Sequence, residues 1–482
     1  MPHPLEPIEL DTITPAPPSP VQLAVQKNPF DTPAKTPASS VLEQGAAETA
    51  ASSIRTMDLL EAAGGTEQQQ LPPVDRGRGA WGFVAAAAIL DYATVLVYLQ
   101  SHEPWSHYSL SALSAVGSVQ LGVQFLLPIF ATLVFRRYSD YVKRILWGAA
   151  LVNCSSMLLS SWSTQVWHLI TLQGIVVGAS GSIMYTPVLL WLNEWFIERR
   201  GLAGGIIFAG AGIGGLVFPF VISGLLARVG FAWMIRVWVA ITAVVFSLAV
   251  YLIKPRVPPA RMRKAERGPW LSTDGAFLKN PLLLLMCFVS FTSSLSTFPV
   301  SLYLATFASN LTPSSFSADI VPAVYNAAAS LGCAATGFLS DRNYPLACTL
   351  CGALGAVIAL SAWGLADSLA KTYGFAVLFG FTTQIVAAWG NNALDVSGGS
   401  PHVASLVFGI LSLMRGAASI MMPFVADGLY HPEESKEDWG RFGFYRMIIF
   451  VGVAAIVSAG GSVALGFMRR KLVKDNKLRP QR

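Results

Sequence analysis

Between Ala80 and Phe467 the chain is almost entirely apolar stretches about as long as a bilayer is thick, and twelve of them can be counted. A hydrocarbon core of ~30 Å takes about 20 residues of apolar helix to cross. Lipid offers backbone N–H and C=O groups no outside partner, so a spanning segment must satisfy them internally. The expected fold class is therefore an all-α integral membrane protein. Its chemistry has to be sought in the few polar groups it keeps at membrane depth.

Composition agrees. Only 12% of the 482 residues are charged and 53% are hydrophobic, with a mean hydropathy of +0.52; a soluble domain carries about 25% charged residues. The formal net charge of +6 invites a nucleic-acid reading. The basic residues, however, sit mostly in short loops between spans, which is the positive-inside pattern rather than a docking patch. No nucleic-acid partner is expected. The five cysteines, Cys154, Cys287, Cys333, Cys348 and Cys351, all fall inside proposed spans, where a free thiol behaves as a small hydrophobe. Cys348 and Cys351 form a C-x-x-C without a second pair or a His cluster, so helix packing is preferred to a metal or redox role.

The spans are expected at about 80–101, 111–134, 145–162, 165–191, 201–227 and 230–253, then 281–306, 319–339, 345–366, 372–393, 403–427 and 443–467. Residues 1–78 are a different material, rich in Pro, Ala, Thr, Glu and Gln, and read as a disordered cytosolic tail. Ser19, Thr32 and Thr36 each precede a proline there and are candidate phosphorylation sites, although a plain solvated tail is preferred. The rest divides into a six-helix bundle over 79–253, a basic central loop over 254–279, a second six-helix bundle over 280–467 and a basic tail over 468–482. Arg136, Arg137, Lys143, Arg144, Arg199, Arg200, the central loop, Arg342 and the C-terminal tail collect on one side. That side is expected to be the cytosol, with both termini inside. Asn310-Leu311-Thr312 then lies outside as a glycosylation acceptor pattern close to the membrane.

Twelve spans, a basic central loop and a Gly-x-x-x-Asp-Arg loop at Gly337, Asp341 and Arg342 resemble the major facilitator superfamily. In the first half that loop survives only as Asp140 with Lys143 and Arg144, without the glycine. Residues 193–215 resemble the superfamily's monocarboxylate-transporter-like family through Trp195, Phe196, Arg199, Arg200, Leu202, Ala203, Gly205, Gly210 and Gly214. Gly79-Ala80-Trp81-Gly82-Phe83 resembles the same family's opening motif, with Arg78 in place of its acid and Asp75 as a displaced substitute. The resemblance covers roughly residues 75–470 and is nearest the fungal branch. It implies two pseudo-symmetric six-helix halves, a solute site between them near the midplane and alternating access. It also implies cytosolic gate motifs at Asp140, Arg144, Arg199, Arg200, Asp341 and Arg342. Alignment on these motifs puts Ser101, Ala329 and Cys333 where the family's well-studied members carry a Lys, an Asp and an Arg. Lactate and pyruvate are disfavoured as solutes for that reason.

Charge inside a span costs about 2.5–3.5 kcal/mol on insertion scales, so retained charges mark candidate function. Asp91 in the first span and Arg415 in the eleventh are such charges, either as a structural ion pair or in proton coupling and solute binding. Arg236 and Arg446 lie near span ends, where they can snorkel. Tyr98, Gln124, Tyr185, Tyr325, Asn326 and Asn391, with Gln120, Gln173, Gln384, Asn392 and Trp389, complete a polar and aromatic set suited to an amphipathic, aromatic or polyketide-like solute. His102 and His107 fall in the first external loop.

The function expected is secondary active transport of a small organic solute, an organic anion or secondary metabolite, coupled to protons. Efflux of a self-made metabolite is preferred to import of a monocarboxylate or a vitamin such as riboflavin. A non-transporting receptor or scaffold is the alternative of another class. No nucleotide-binding loop, nucleophile elbow or metal cluster is present in the sequence, so neither an enzyme, a cofactor nor ATP drive is expected. The expected site is the plasma membrane, with a vacuolar or other organelle membrane as the alternative.

Overall fold

Short polar residues set where the helices of this bundle begin. Asn280 accepts a hydrogen bond from the Leu282 N–H at 3.0 Å and Pro281 takes the first helical position, where a missing N–H costs nothing. Ser314 and Ser368 cap two further helices in the same way. The computed structural model describes residues 73–92, 110–257, 275–312, 314–434 and 439–475, all within one unit, Leu71–Arg482. Tyr98, Ser101, His102, His107, the tail over 1–72 and most of the central loop lie outside the described residues.

The elements are α1 (Gly77–Tyr92), α2 (Leu110–Leu126), α3 (Pro128–Arg137), α4 (Val142–Ser160), α5 (Val177–Trp195), α6 (Arg200–Leu252), α7 (Pro281–Ser309), α8 (Ser315–Ile358), α9 (Leu369–Thr382), α10 (Trp389–Ser397), α11 (Pro401–Leu429) and α12 (Tyr445–Lys474). No strand occurs among the described residues. Nine helical stretches there are long and apolar enough to cross a membrane by length and composition. One of them, Ile320–Trp363, runs 44 residues, or ~66 Å at 1.5 Å per residue. That is twice the hydrocarbon thickness, and the helix breaks at Asn343 (φ −158, ψ 87), so it makes two crossings. α6 likewise joins two crossings across Gly230, whose φ of 73 and ψ of 174 suit a residue without Cβ. Both breaks fall where the sequence separates spans, between 227 and 230 and between 339 and 345. α1 and α4 are helical where spans one and three are expected.

Among the described residues four spans depart from uninterrupted helix, the ninth through a wide-turn segment at Ala359–Trp363 near its end. The second breaks at Leu127, before Pro128, which starts α3. The fourth enters through a wide-turn segment, Ile170–Val176, before α5. The Ser156 hydroxyl donates to the Leu172 carbonyl at 2.8 Å and Gln173 donates to Ser160 at 2.7 Å, so the loosened turn keeps its polar groups satisfied. The tenth is split: α9 ends at Thr382, Thr383 and Gln384 are non-helical, and a tight turn over Ile385–Ala388 leads into α10. At the C-terminus α12 continues to Lys474, seven residues past the expected end of the last span at 467.

One end of the bundle is tied by polar bonds that gather loops distant in sequence. Lys143 donates to the Val250 carbonyl at 2.5 Å and to the Ile253 carbonyl, closing the exposed end of α6. Trp195 Nε1 donates to the Lys254 carbonyl at 3.0 Å. Arg469 of α12 donates to Asp395 of α10 at 2.6 Å and lies 5.3 Å from the Tyr344 ring. The opposite end of the second half is held by rings: Phe307, Trp363, Phe375 and Phe444 interlock at centroid distances of 5.1–6.1 Å.

Candidate functional site

A cavity of about 180 Å³ lies inside the bundle. Before the central loop, α2 contributes Leu121, Gln124 and Phe125, α5 contributes Tyr185, and α6 contributes Phe208, Ala211 and Gly212. After it, α7 supplies Thr297, Phe298 and Ser301, α8 supplies Tyr325, Asn326, Ala329 and Cys333, and α11 supplies Arg415. The split tenth span adds Gln384 and Val386. Irregular backbone at membrane depth is tolerated only where protein covers it or a cavity borders it, and this one meets both conditions.

Arg415 sets the electrostatics. It stands 14 residues into α11, about 21 Å along a helix of ~43 Å. Its guanidinium lies 5.4 Å from the Phe125 ring and 5.0 Å from the Phe298 ring, one from each side of the central loop. Such cation–π contacts contribute up to about 2 kcal/mol when desolvated. No acidic residue lines the cavity among the described residues. Asn326 Nδ2 donates to the Gly215 carbonyl at 3.5 Å, and Gln384 is oriented by donating to the Gly380 carbonyl at 2.9 Å and accepting from the Cys333 thiol at 3.4 Å. The arrangement offers a cation, amide groups and aromatic faces in a largely apolar chamber, which is the recognition chemistry of an aromatic or conjugated organic anion.

Of the candidate residues named from the sequence, Gln124, Tyr185, Tyr325, Asn326, Gln384 and Arg415 line this cavity. Asp91 belongs to α1 one turn beyond Ala88, whose backbone meets α6 at Gly210, and its side chain is outside the described set. Asn391 does not line the cavity. It donates to Ser340 at 2.9 Å and to Asp341 at 3.0 Å, at the basic end.

At that end Asp341 spans the bundle. Its Oδ1 accepts from the Gly201 N–H at 2.6 Å and its Oδ2 from the Leu202 N–H at 2.9 Å. These are among the first N–H groups of α6, which have no partner within the helix. An anion there also meets the positive end of the helix dipole. Glycine makes the approach close enough: a Cβ on Gly201 would collide with Gly337 and Ser340, and one on Gly337 with the Gly201 backbone. Arg200 is buried just before, its Nε donating to the Phe196 carbonyl at 3.1 Å, with the charges of Asp75 and Asp341 both acting on it. Arg199 contributes its backbone N–H to Asp75 at 3.0 Å. Arg342 packs over the Phe338 ring at 4.7 Å, and Arg144 over Tyr141 at 5.3 Å, next to Asp140 in its short turn. Asn310, the acceptor position of the glycosylation pattern, directly follows α7 and donates to the Thr306 carbonyl at 3.1 Å.

The two aromatic motifs noticed separately in the sequence meet in space. Trp81 packs edge-on to Phe196 at 5.5 Å and Phe83 stacks on Trp195 at 6.4 Å. Sequence reasoning missed Phe125, Phe298 and Phe208 as cavity residues, since nothing sets them apart from other apolar residues of their spans.

Comparison with known proteins agrees with this architecture. The chain is 26% identical over 335 residues to an MFS transporter of Aspergillus flavus, covering 67% of this chain and 74% of the relative. It is 26% identical over 391 residues to the aspyridones efflux protein of Emericella nidulans, 81% of this chain and 76% of the relative. It is 22% identical over 418 residues to the fujikurins efflux protein of Gibberella fujikuroi, 83% and 86% of the two chains. The sequence pattern of the Major Facilitator Superfamily matches residues 81–423, which carry the cavity and the Asp341 contact alike, and the chain belongs to that family.

Proposed function

We propose that this protein is a secondary active transporter that exports a self-made, acidic organic metabolite across the plasma membrane by alternating access, coupled to protons. The observation that carries the reading is Arg415, held between Phe125 and Phe298 in a chamber built from both sides of the central loop. Two of the similar proteins are named for the efflux of aspyridones and fujikurins, which supports export. The finer likeness to the monocarboxylate-transporter-like family rests on the motifs at 79–83 and 193–215.

In this reading the halves over 79–253 and 280–467 rock about the cavity, with the basic end and both termini in the cytosol. The Asp341 contact is a latch on that end. An anion at a helix N-terminus contributes at most about 2 kcal/mol, weak enough to break once per cycle. Asp91 carries the proton: it pairs with Arg415 in the empty protein and releases it to the solute when protonated. Burial raises the affinity of a carboxylate for protons and suits that exchange.

The test uses purified full-length protein in proteoliposomes with an imposed pH gradient and a panel of aromatic carboxylic and enolic acids. At least one acid should be concentrated against its gradient, and Arg415→Gln should lower its uptake at least tenfold. Ordinary uptake by Arg415→Gln would move the solute site to Tyr325 and Asn326. Failure of every probe to move would favour the receptor reading.

A further inference from the structure

The stretch just before α1 is tied to the same turn that Asp341 holds from the other side. Asp75 sits at φ +57, a left-handed conformation uncommon outside glycine. Its own N–H donates to the Trp195 carbonyl at 3.0 Å. Its carboxylate accepts from the N–H groups of Ile197 (3.0 and 3.1 Å), Glu198 (3.0 Å) and Arg199 (3.0 Å). Two residues further on, the Gly201 and Leu202 N–H groups go to Asp341. Of the six consecutive N–H donors from Ile197 to Leu202, all but that of Arg200 are therefore divided between two carboxylates, one before the central loop and one after it. The buried Arg200 side chain carries a positive charge on which both act. Strained backbone that persists next to a functional contact is a pointer to function when the surroundings over-determine it, and here the bonds to Trp195, Ile197, Glu198 and Arg199 do so.

We propose that Asp75 is a positioning residue of the latch: by fixing the turn over 196–199 it presents the Gly201 and Leu202 N–H groups to Asp341, and so sets how readily the basic end opens. Asp75 touches no solute and lies outside the cavity. The inference rests on the reading of Asp341 as a latch. It also gives the segment preceding α1 a mechanical connection to the gate, since a pull on residues 73–75 acts on the turn directly.

A native thiol supplies the readout. Cys333 borders the cavity and is buried, so a water-soluble maleimide reaches it only when an end of the bundle opens. Cys348 is also buried but belongs to the packed interior, and reports general loosening. Full-length protein in nanodiscs would be treated with the maleimide, and modification at each cysteine timed by peptide mass spectrometry. Asp75→Ala and Asp341→Ala should each speed modification of Cys333 at least fivefold with Cys348 unchanged. The double variant should be no faster than the faster single one, because both carboxylates act through one turn. Asp75→Glu should restore most of the protection.

If Asp341→Ala opens Cys333 and Asp75→Ala does not, the inference is wrong and the latch stands. If Asp341→Ala leaves Cys333 at the wild-type rate, the latch reading falls, and the inference with it. Parallel acceleration of Cys333 and Cys348 by Asp75→Ala would make Asp75 a fold-stabilising residue only.

Discussion

Gly201 shows how much a single residue can decide. It stands where α6 meets α8, and a Cβ there would meet the Gly337 carbonyl, the Ser340 hydroxyl and the Asn391 amide together. All three belong to one hydrogen-bonded set that reaches Asp341 through Asn391. Gly201→Val is expected to keep the basic end from closing, abolishing concentrative transport while the protein still reaches the membrane. Proteoliposome uptake beside surface expression checks this; uptake above half of wild type would contradict it. Asp91 is the other residue on which the mechanism turns. Asp91→Asn cannot take up a proton, so transport should lose its response to a pH gradient while exchange of solute for solute continues. Retention of wild-type pH dependence would make Asp91 structural.

Among the elements, the pairing of α10 with α12 is held by a charge pair away from the cavity. Asp395 and Arg469 are 2.6 Å apart with side chains only 6% and 15% exposed. Removing one partner of a buried pair strands the other charge and costs about 3–5 kcal/mol. Asp395→Ala is expected to lower the thermal midpoint in detergent markedly, and the double change with Arg469→Met to recover much of the loss. No recovery in the double variant would place the cost elsewhere, for instance in the contact of Arg469 with Tyr344. The split tenth span is an element the sequence does not announce. Its residues Phe379 to Ala388 carry neither proline nor a glycine past Gly380 to mark a break, and only Thr382, Thr383 and Gln384 interrupt the otherwise apolar stretch. The break is tolerated because side chains at the break itself supply what the backbone loses: Thr383 donates to the Phe379 carbonyl at 2.7 Å, and Gln384 to that of Gly380 at 2.9 Å.

For the whole molecule, spacing of apolar residues was enough to read an all-α membrane protein and to separate spans near the turns at Gly230 and Asn343, because lipid imposes length and polarity on a span. Six of the residues that line the cavity, Gln124, Tyr185, Tyr325, Asn326, Gln384 and Arg415, could be picked out from the sequence by their polarity alone, for polar groups at membrane depth are costly enough to stand out. The aromatic half of the cavity was not, since a phenylalanine lining a chamber and one facing lipid look alike in a sequence. The least legible contacts are those of Asp75 and Asp341. Each binds backbone N–H groups more than 120 residues away, and every residue except proline carries such a group. Side-chain chemistry therefore marked the carboxylates without naming their partners. Only the packing of α6 against α8, close enough where Gly201 and Gly337 meet, decided which amides those would be.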